Sequence, residues 1–185
     1  MKPIDCCSTE PITEDSLNVA EVLAFDPDNA PAPQDEPQHA CINCEGSSRL
    51  VTRKTMLLML KPEHLDEIGK DNNYRFCPDS DCRVVYFSED SGIAFTTADI
   101  RVRVGLKEKV DPIPLCYCFG FDVSDARAEI AATGRCLIPE RISALIKQGM
   151  CACPARNPSG ACCLGEVNRA VQRLLTETTR EMQPV

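Results

Sequence analysis

Tryptophan is absent from this 185-residue chain, and three Tyr and six Phe are its only other large aromatics. A conventional hydrophobic core is therefore thin, and some other source of folding free energy must contribute. Long apolar runs are missing too. The longest aliphatic stretch, Met56-Leu57-Leu58-Met59-Leu60, is far too short to cross a bilayer, and Met1 to Pro11 has neither an apolar core nor a small-residue cleavage site. These absences argue against membrane insertion and point to a soluble, cytoplasmic protein. Basic charge is also scarce, with 20 Lys and Arg against 28 Asp and Glu for a net charge of -8. Phosphate binding needs clustered Lys and Arg, so a nucleic-acid partner is excluded as well.

What the chain has in excess is cysteine, 13 residues in all. Cytoplasmic thiols stay reduced, so an odd and abundant set reads as metal ligands rather than as a disulfide framework. The acidic excess is concentrated in residues 1–40, where nine Asp and Glu face Lys2 alone and six of the 14 prolines fall. Such a segment buries too little apolar surface to offset its ordering entropy, so it reads as a flexible, disordered N-terminal tail, with Leu17 to Phe25 able to form a transient helical turn.

From Cys41 to Asp111 the signals are those of short strands. Tyr74-Arg75-Phe76 and Val84-Val85-Tyr86-Phe87 flank a cysteine knuckle, and Ile100, Val102 and Val104 alternate with Arg101 and Arg103 as in a half-buried strand. Pro62 to Ile68 reads as one short helix among them. Asp111-Pro112-Ile113-Pro114 then breaks the pattern with a stiff connector. Beyond it three helices are expected: one from Asp122 or Ser124 to Gly134, one with Pro139 in its first turn ending at Gly149, and one from Gly165 to about Thr179. In the last, Val167, Val171, Leu174 and Leu175 form a core-facing stripe. The fold class is α+β: a tail over 1–40, a small β module over 41–111, and a short three-helix module over 112–185.

Cys41-Ile-Asn-Cys44 and Cys77-Pro-Asp-Ser-Asp-Cys82 are two knuckles on tight turns. Four soft thiolates closing on one ion suit tetrahedral zinc and leave no open position, so the site is structural. A redox Cys-x-x-Cys is the competing reading, but no βαβ pattern surrounds Cys41. His39 and His64 read as plain surface residues. A second constellation is Cys116-Tyr-Cys118, then Cys151-Ala-Cys153, then Cys162-Cys163 after Asn157-Pro158-Ser159-Gly160. A Cys-x-Cys loop with further cysteines beyond a helical hairpin can clamp a binuclear iron cluster, each pair serving one iron. A second zinc site stands as the alternative on spacing.

The strings Cys77-Pro-Asp-Ser-Asp-Cys82-Arg-Val-Val-Tyr-Phe87, Arg103-Val-Gly105, Cys116-Tyr-Cys118-Phe119 and Asn157-Pro-Ser-Gly160 with Cys162-Cys163 resemble the N-terminal domain of the CopZ-type copper chaperones. In that family a zinc module precedes a [2Fe-2S] module like bacterioferritin-associated ferredoxin. The resemblance runs over roughly residues 40–178. It implies Cys41, Cys44, Cys77 and Cys82 as zinc ligands, and Cys116, Cys118, Cys153 and Cys163 as cluster ligands, with Cys151 the alternate for Cys153. The family continues into a heavy-metal-associated domain with a Met-x-Cys-x-x-Cys loop, and that motif does not occur between Met1 and Val185.

The function implied is that of a metal-handling accessory rather than an enzyme. One electron from the cluster would reduce Cu(II) to Cu(I), and the metal would pass to a P-type metal ATPase or another transporter. The alternative is a dedicated one-electron carrier that docks on a reductase or storage protein as its redox partner and binds no copper. Four further thiols, Cys6, Cys7, Cys151 and Cys162, stand as alternates or as ligands for a soft ion such as Cu(I) or Hg(II). Cys136 reads as a small buried hydrophobe.

Overall fold

Val84-Val85-Tyr86-Phe87 combines β-branched and aromatic residues without a polar interruption, the pattern of a strand covered on both faces. In the computed structural model, which describes residues 39–70 and 73–181, this run is the centre of a four-stranded antiparallel sheet. The strands are β1 (Arg49–Leu50), β2 (Tyr74–Phe76), β3 (Val84–Ser88) and β4 (Ala94–Thr96), in the order β1-β2-β3-β4. Register is set by Arg49 opposite Phe76, Phe76 opposite Tyr86, and Tyr86 opposite Phe95. Every residue of β3 is buried. Val85 and Tyr86 join Met56, Leu60, Tyr74, Phe76 and Phe95 in one core, while Val84 and Phe87 pack with Cys41, Cys77 and Cys82. The aromatics are few, and this sheet concentrates most of them.

Helix α1 (Arg53–Met59) lies against that core. Thr52 caps it, its side chain accepting the Thr55 N–H at 3.2 Å, and Thr55, Met56 and Met59 are buried. The aliphatic run at 56–60 is thus largely a short helix, a state its unbroken apolarity does not announce. Pro62–Glu67 forms a 3-10 turn. The strand expected around Ile100 to Val104 does not form. Ile100 makes one isolated bridge with Leu60 and is buried, as is Val104, but the two arginines bond carbonyls instead of flanking a strand partner. Arg101 Nε donates to Leu60 O, and Arg103 donates to Pro112 O, Val110 O and the Glu108 carboxylate.

The C-terminal part opens with a hairpin of β5 (Pro114–Cys116) and β6 (Phe121–Asp122). Helix α2 (Val123–Thr133) follows, started by an Asp122–Asp125 capping box and stopped at Gly134. Helix α3 (Ile138–Lys147) has Pro139 in its first turn. A single-turn helix α4 (Cys153–Arg156) and the long helix α5 (Leu164–Glu181) complete the set. Val123, Ala126 and Ile130, Ile138 and Ile142, and Val167, Val171 and Leu174 form one buried cluster with Cys116, Cys136 and Cys163. Fully burying a Val, Leu or Ile side chain stabilises by about 1.5–3 kcal/mol, so these three helices supply a conventional core.

The two parts of the chain touch. Thr55 Oγ1 donates to Pro154 O at 2.8 Å, Tyr86 donates to Pro158 O at 2.6 Å, and Arg49 pairs with Glu166 at 2.8 Å. Tyr117, from the turn after β5, accepts the Gly105 N–H at 2.7 Å and donates to Arg103 O at 3.0 Å. No helix among the described residues is long and apolar enough to cross a membrane. The tail read over residues 1–40, with Cys6 and Cys7, lies outside the described residues apart from His39 and Ala40.

Candidate metal centres

Cys41 and Cys44 sit on a turn closed by Cys41 N–H to Gly46 O and Glu45 N–H to Cys41 O, both 2.8 Å, with Glu45 in the left-handed region at φ 58°. The Ala40–Ser47 bridge holds its base. Cys77 follows directly on β2, and Cys82 stands just ahead of β3. The link between them is folded by Asp79, whose carboxylate accepts the N–H groups of Asp81 at 2.8 Å and Cys82 at 3.0 Å. Those two donors hold the Asp79 carboxyl below the usual carboxylate range.

The two turns bring four sulfurs to within 4.8 Å of one another. Cys41 and Cys82 are 3.9 Å apart, Cys44 and Cys77 3.7 Å. A tetrahedral ion with Zn–S bonds of about 2.3 Å requires ligand separations of about 3.8 Å, which these two pairs match, and the remaining separations, all within 4.8 Å, need at most a small contraction. Cys41, Cys77 and Cys82 are buried, and Cys44 is half-buried. Burial pushes the Cys77 and Cys44 thiols up. At Cys82 burial acts in the same direction, but the Val84 N–H and the Asn43 amide outweigh it and the thiol is lowered. A metal must therefore displace protons from unequal thiols, and binding weakens in acid.

Four thiolates around a divalent ion leave the centre anionic, and two side chains answer that charge. Asn43 Nδ2 donates to Cys82 Sγ at 3.3 Å. Lys107 Nζ donates to Asp79 O at 2.7 Å and Cys82 O at 2.8 Å, placing an ammonium beside the second knuckle. The Asp79 turn is suggested by its place between the knuckle cysteines. Nothing in the sequence links Lys107 to them. Neither histidine joins the group: His39 pairs with Glu89 at 2.8 Å, and His64 with Glu67 at 2.8 Å and Asp99 at 3.2 Å.

The second set of thiols is arranged differently. Cys116 ends β5, Cys118 lies in the following turn, Cys153 opens α4, and Cys163 immediately precedes α5. Cys118 Sγ is 3.7 Å from Cys153 Sγ and accepts the Ala152 N–H at 3.3 Å. Cys163, with the Phe119 and Cys118 N–H groups, lowers the Cys116 thiol to about 6, and Cys116 together with burial pushes Cys163 up. Burial, then Cys118, raises Cys153 to about 12.

The short sulfur–sulfur contact thus runs between loops, Cys118 with Cys153, rather than within the Cys-x-Cys loop, and the thiol that acts most on Cys116 is Cys163. Among the described residues only Cys41, Cys44, Cys77 and Cys82 draw three or more ligand atoms within 4.8 Å of one another. Cys162 is exposed, Cys151 half-buried, and Cys136 buried. Cys136 lies 3.9 Å from the Glu129 carboxylate, whose other oxygen accepts the Leu137 N–H.

Residues 38–101 match the CopZ zinc-binding domain family. The chain is 31% identical over 98 residues to the copper chaperone CopZ of Archaeoglobus fulgidus, a match covering 52% of this chain and 45% of that protein. It therefore spans less than half the length of that relative. The X-ray structure of the Archaeoglobus fulgidus CopZ N-terminal domain is similar at a TM-score of 0.59 and 27% identity, over 71% of this chain and 96% of that one. Over residues 38–101 the chain is thus similar to the CopZ-type zinc-binding domain.

Proposed function

We propose that this protein is a metal-handling accessory with two centres: a structural zinc held by Cys41, Cys44, Cys77 and Cys82, and a [2Fe-2S] cluster held by Cys116, Cys118, Cys153 and Cys163. The boundary between the parts that carry them falls near Asp111. The observation that carries the second assignment is the 3.7 Å pairing of Cys118 with Cys153 across two loops, outside any group of three or more mutually close ligand atoms among the described residues. A mononuclear zinc needs four mutually close sulfurs, as the first set has, whereas a binuclear cluster needs one pair per iron. Cys153 rather than Cys151 is the ligand, because Cys153 is the residue paired with Cys118.

Such a cluster supplies one electron at a time, and zinc, which has no redox chemistry, supplies none. The residues around the second set hold the thiolates ready. The N–H groups of Phe119 and Cys118 point at Cys116, and the Ala152 N–H at Cys118. Helix α5 starts one residue after Cys163, so its positive end lies beside that thiolate. Cu(II) is the substrate in this reading: it accepts one electron and leaves as Cu(I), the state that soft thiolates of a transporter hold. The similarity to a copper chaperone favours copper over other soft metals.

The test is anaerobic titration of the dithionite-reduced protein, freed of excess reductant, with Cu(II) in the presence of a Cu(I)-specific chromophore. About one Cu(I) per chain should form as the visible bands of the cluster oxidise. Oxidation by a flavoprotein reductase with no reaction towards Cu(II) would replace this reading with that of a dedicated electron carrier.

A further inference from the structure

The loop from Pro154 to Ala161 separates Cys153 from Cys163, and three contacts from the zinc domain fall on it. Tyr86 is fully buried in β3, yet its hydroxyl leaves the sheet to donate to Pro158 O at 2.6 Å. Thr55, also fully buried, donates to Pro154 O at 2.8 Å. Gly160 has φ 68°, and a Cβ there would lie 3.0 Å from Thr55 Oγ1, so the loop backbone is pressed directly onto α1. Within the loop, Asn157 donates to Ala161 O at 2.7 Å and accepts the Ser159 N–H at 3.1 Å. The loop is thus internally stiff, and it is fixed to the zinc domain through two carbonyls.

We infer that the Tyr86 and Thr55 hydroxyls are positioning groups for the second thiol centre: they fix the loop that sets Cys153 and Cys163 against Cys118 and Cys116. The zinc domain then serves as the template on which the second centre is assembled, a role distinct from binding zinc. This rests on reading those four cysteines as one centre. Tyr86 aims its hydroxyl at the carbonyl of the buried Pro158, which would be left without that donor, and the buried Thr55 hydroxyl reaches the carbonyl of Pro154 in α4, an exposed residue.

The experiment is site-resolved alkylation of the zinc-loaded full chain by iodoacetamide, followed by mass spectrometry, for wild type, Tyr86→Phe, Thr55→Val and Thr55→Ser. Losing one buried donor should raise the modification rate of Cys153 and Cys163 by about tenfold in Tyr86→Phe and Thr55→Val. Thr55→Ser, which keeps the hydroxyl, should stay near wild type. Cys41, Cys44, Cys77 and Cys82 should remain protected and zinc content unchanged in all four proteins. Unchanged rates at Cys153 and Cys163 would overturn the inference, and so would equal labelling of both cysteine sets, which means general loosening. If Tyr86→Phe fails to fold, the two Thr55 variants decide alone. Wild-type iron and sulfide content is measured in parallel. Its absence would overturn the cluster reading while the alkylation pattern still decided whether the hydroxyls position the thiols.

Discussion

Gly105→Ala offers a sharp test of how the two parts of the chain meet. A Cβ built on Gly105 would lie 2.0 Å from the carbonyl oxygen of Pro114, and 3.4 Å from the Tyr117 hydroxyl. Side-chain Cβ atoms essentially never approach closer than 3.0 Å, so the backbone of β5 has to retreat by at least 1.0 Å. No rotamer change relieves the clash, because its partner is main chain. The retreat also stretches the 2.7 Å bond from Gly105 N–H to Tyr117, a phenol that burial raises to about 12 and that bonds as the neutral group. Overpacking of this kind costs about 1–3 kcal/mol and the strained hydrogen bond about 1 more, giving a loss of about 3 kcal/mol. For a domain of this size that lowers Tm by about 6–12 °C. Gly92→Ala is the matched control: φ is 69°, but nothing lies within 4 Å, so only the left-handed conformation is penalised, at about 1–2 kcal/mol. Thermal denaturation of both zinc-loaded variants by far-UV circular dichroism is the assay. If Gly105→Ala melted at or above the temperature of Gly92→Ala, the close approach of the 105 turn to β5 would be wrong.

His64 contributes a pH-dependent term. Its hydrogen bond to Glu67, with the charges of Asp99, Glu67 and Glu63, raises it above the ordinary 6.5. A raised folded value means that the stabilisation is complete below 6.5 and is lost as pH climbs through the higher folded value. His64→Gln should therefore fall short of wild type in urea midpoint on the acidic side of neutrality and converge with it in mild alkali. A constant gap at all pH values would show that the ring acts only through its edge-to-face packing on Phe95. Cys77→Ser removes a fully buried member of the first set. Structural zinc supplies about 10–16 kcal/mol of apparent binding free energy, comparable to the whole stability of a domain, so zinc content should fall well below one per chain and the cooperative unfolding of the sheet should disappear. Retention of full zinc with a normal melt would show that three thiols suffice.

The first set of cysteines was legible because two close pairs on tight turns have few other uses, and the strand and helix signals along the chain were strong. Val84 to Phe87 announced a buried strand, Asp122 and Gly134 the ends of α2, and Val167, Val171 and Leu174 the inner face of α5. Ile100 to Val104 misled because only the two ends of the alternating run are buried and Val102 is exposed. Ile100 and Val104 are indeed inside, but Arg101 and Arg103 spend their guanidinium groups on loop carbonyls and no strand runs alongside. Helix α1 was hidden because an unbroken aliphatic run carries no period. The contacts of Tyr86, Thr55, Lys107 and Gly105 were hidden for a different reason. Each joins segments from 9 to 99 residues apart, and no local pattern records where a buried hydroxyl or a missing Cβ will face.

Metal and sulfide analysis of the full chain, purified anaerobically from iron-replete cells, bears most directly on the two-centre arrangement. Four mutually close thiols, and a second set in which Cys118 pairs with Cys153 without a third ligand atom joining them, should yield about one zinc, two irons and two acid-labile sulfides per chain. About two zincs with no labile sulfide would contradict it, and would assign Cys116, Cys118, Cys153 and Cys163 to a second structural zinc.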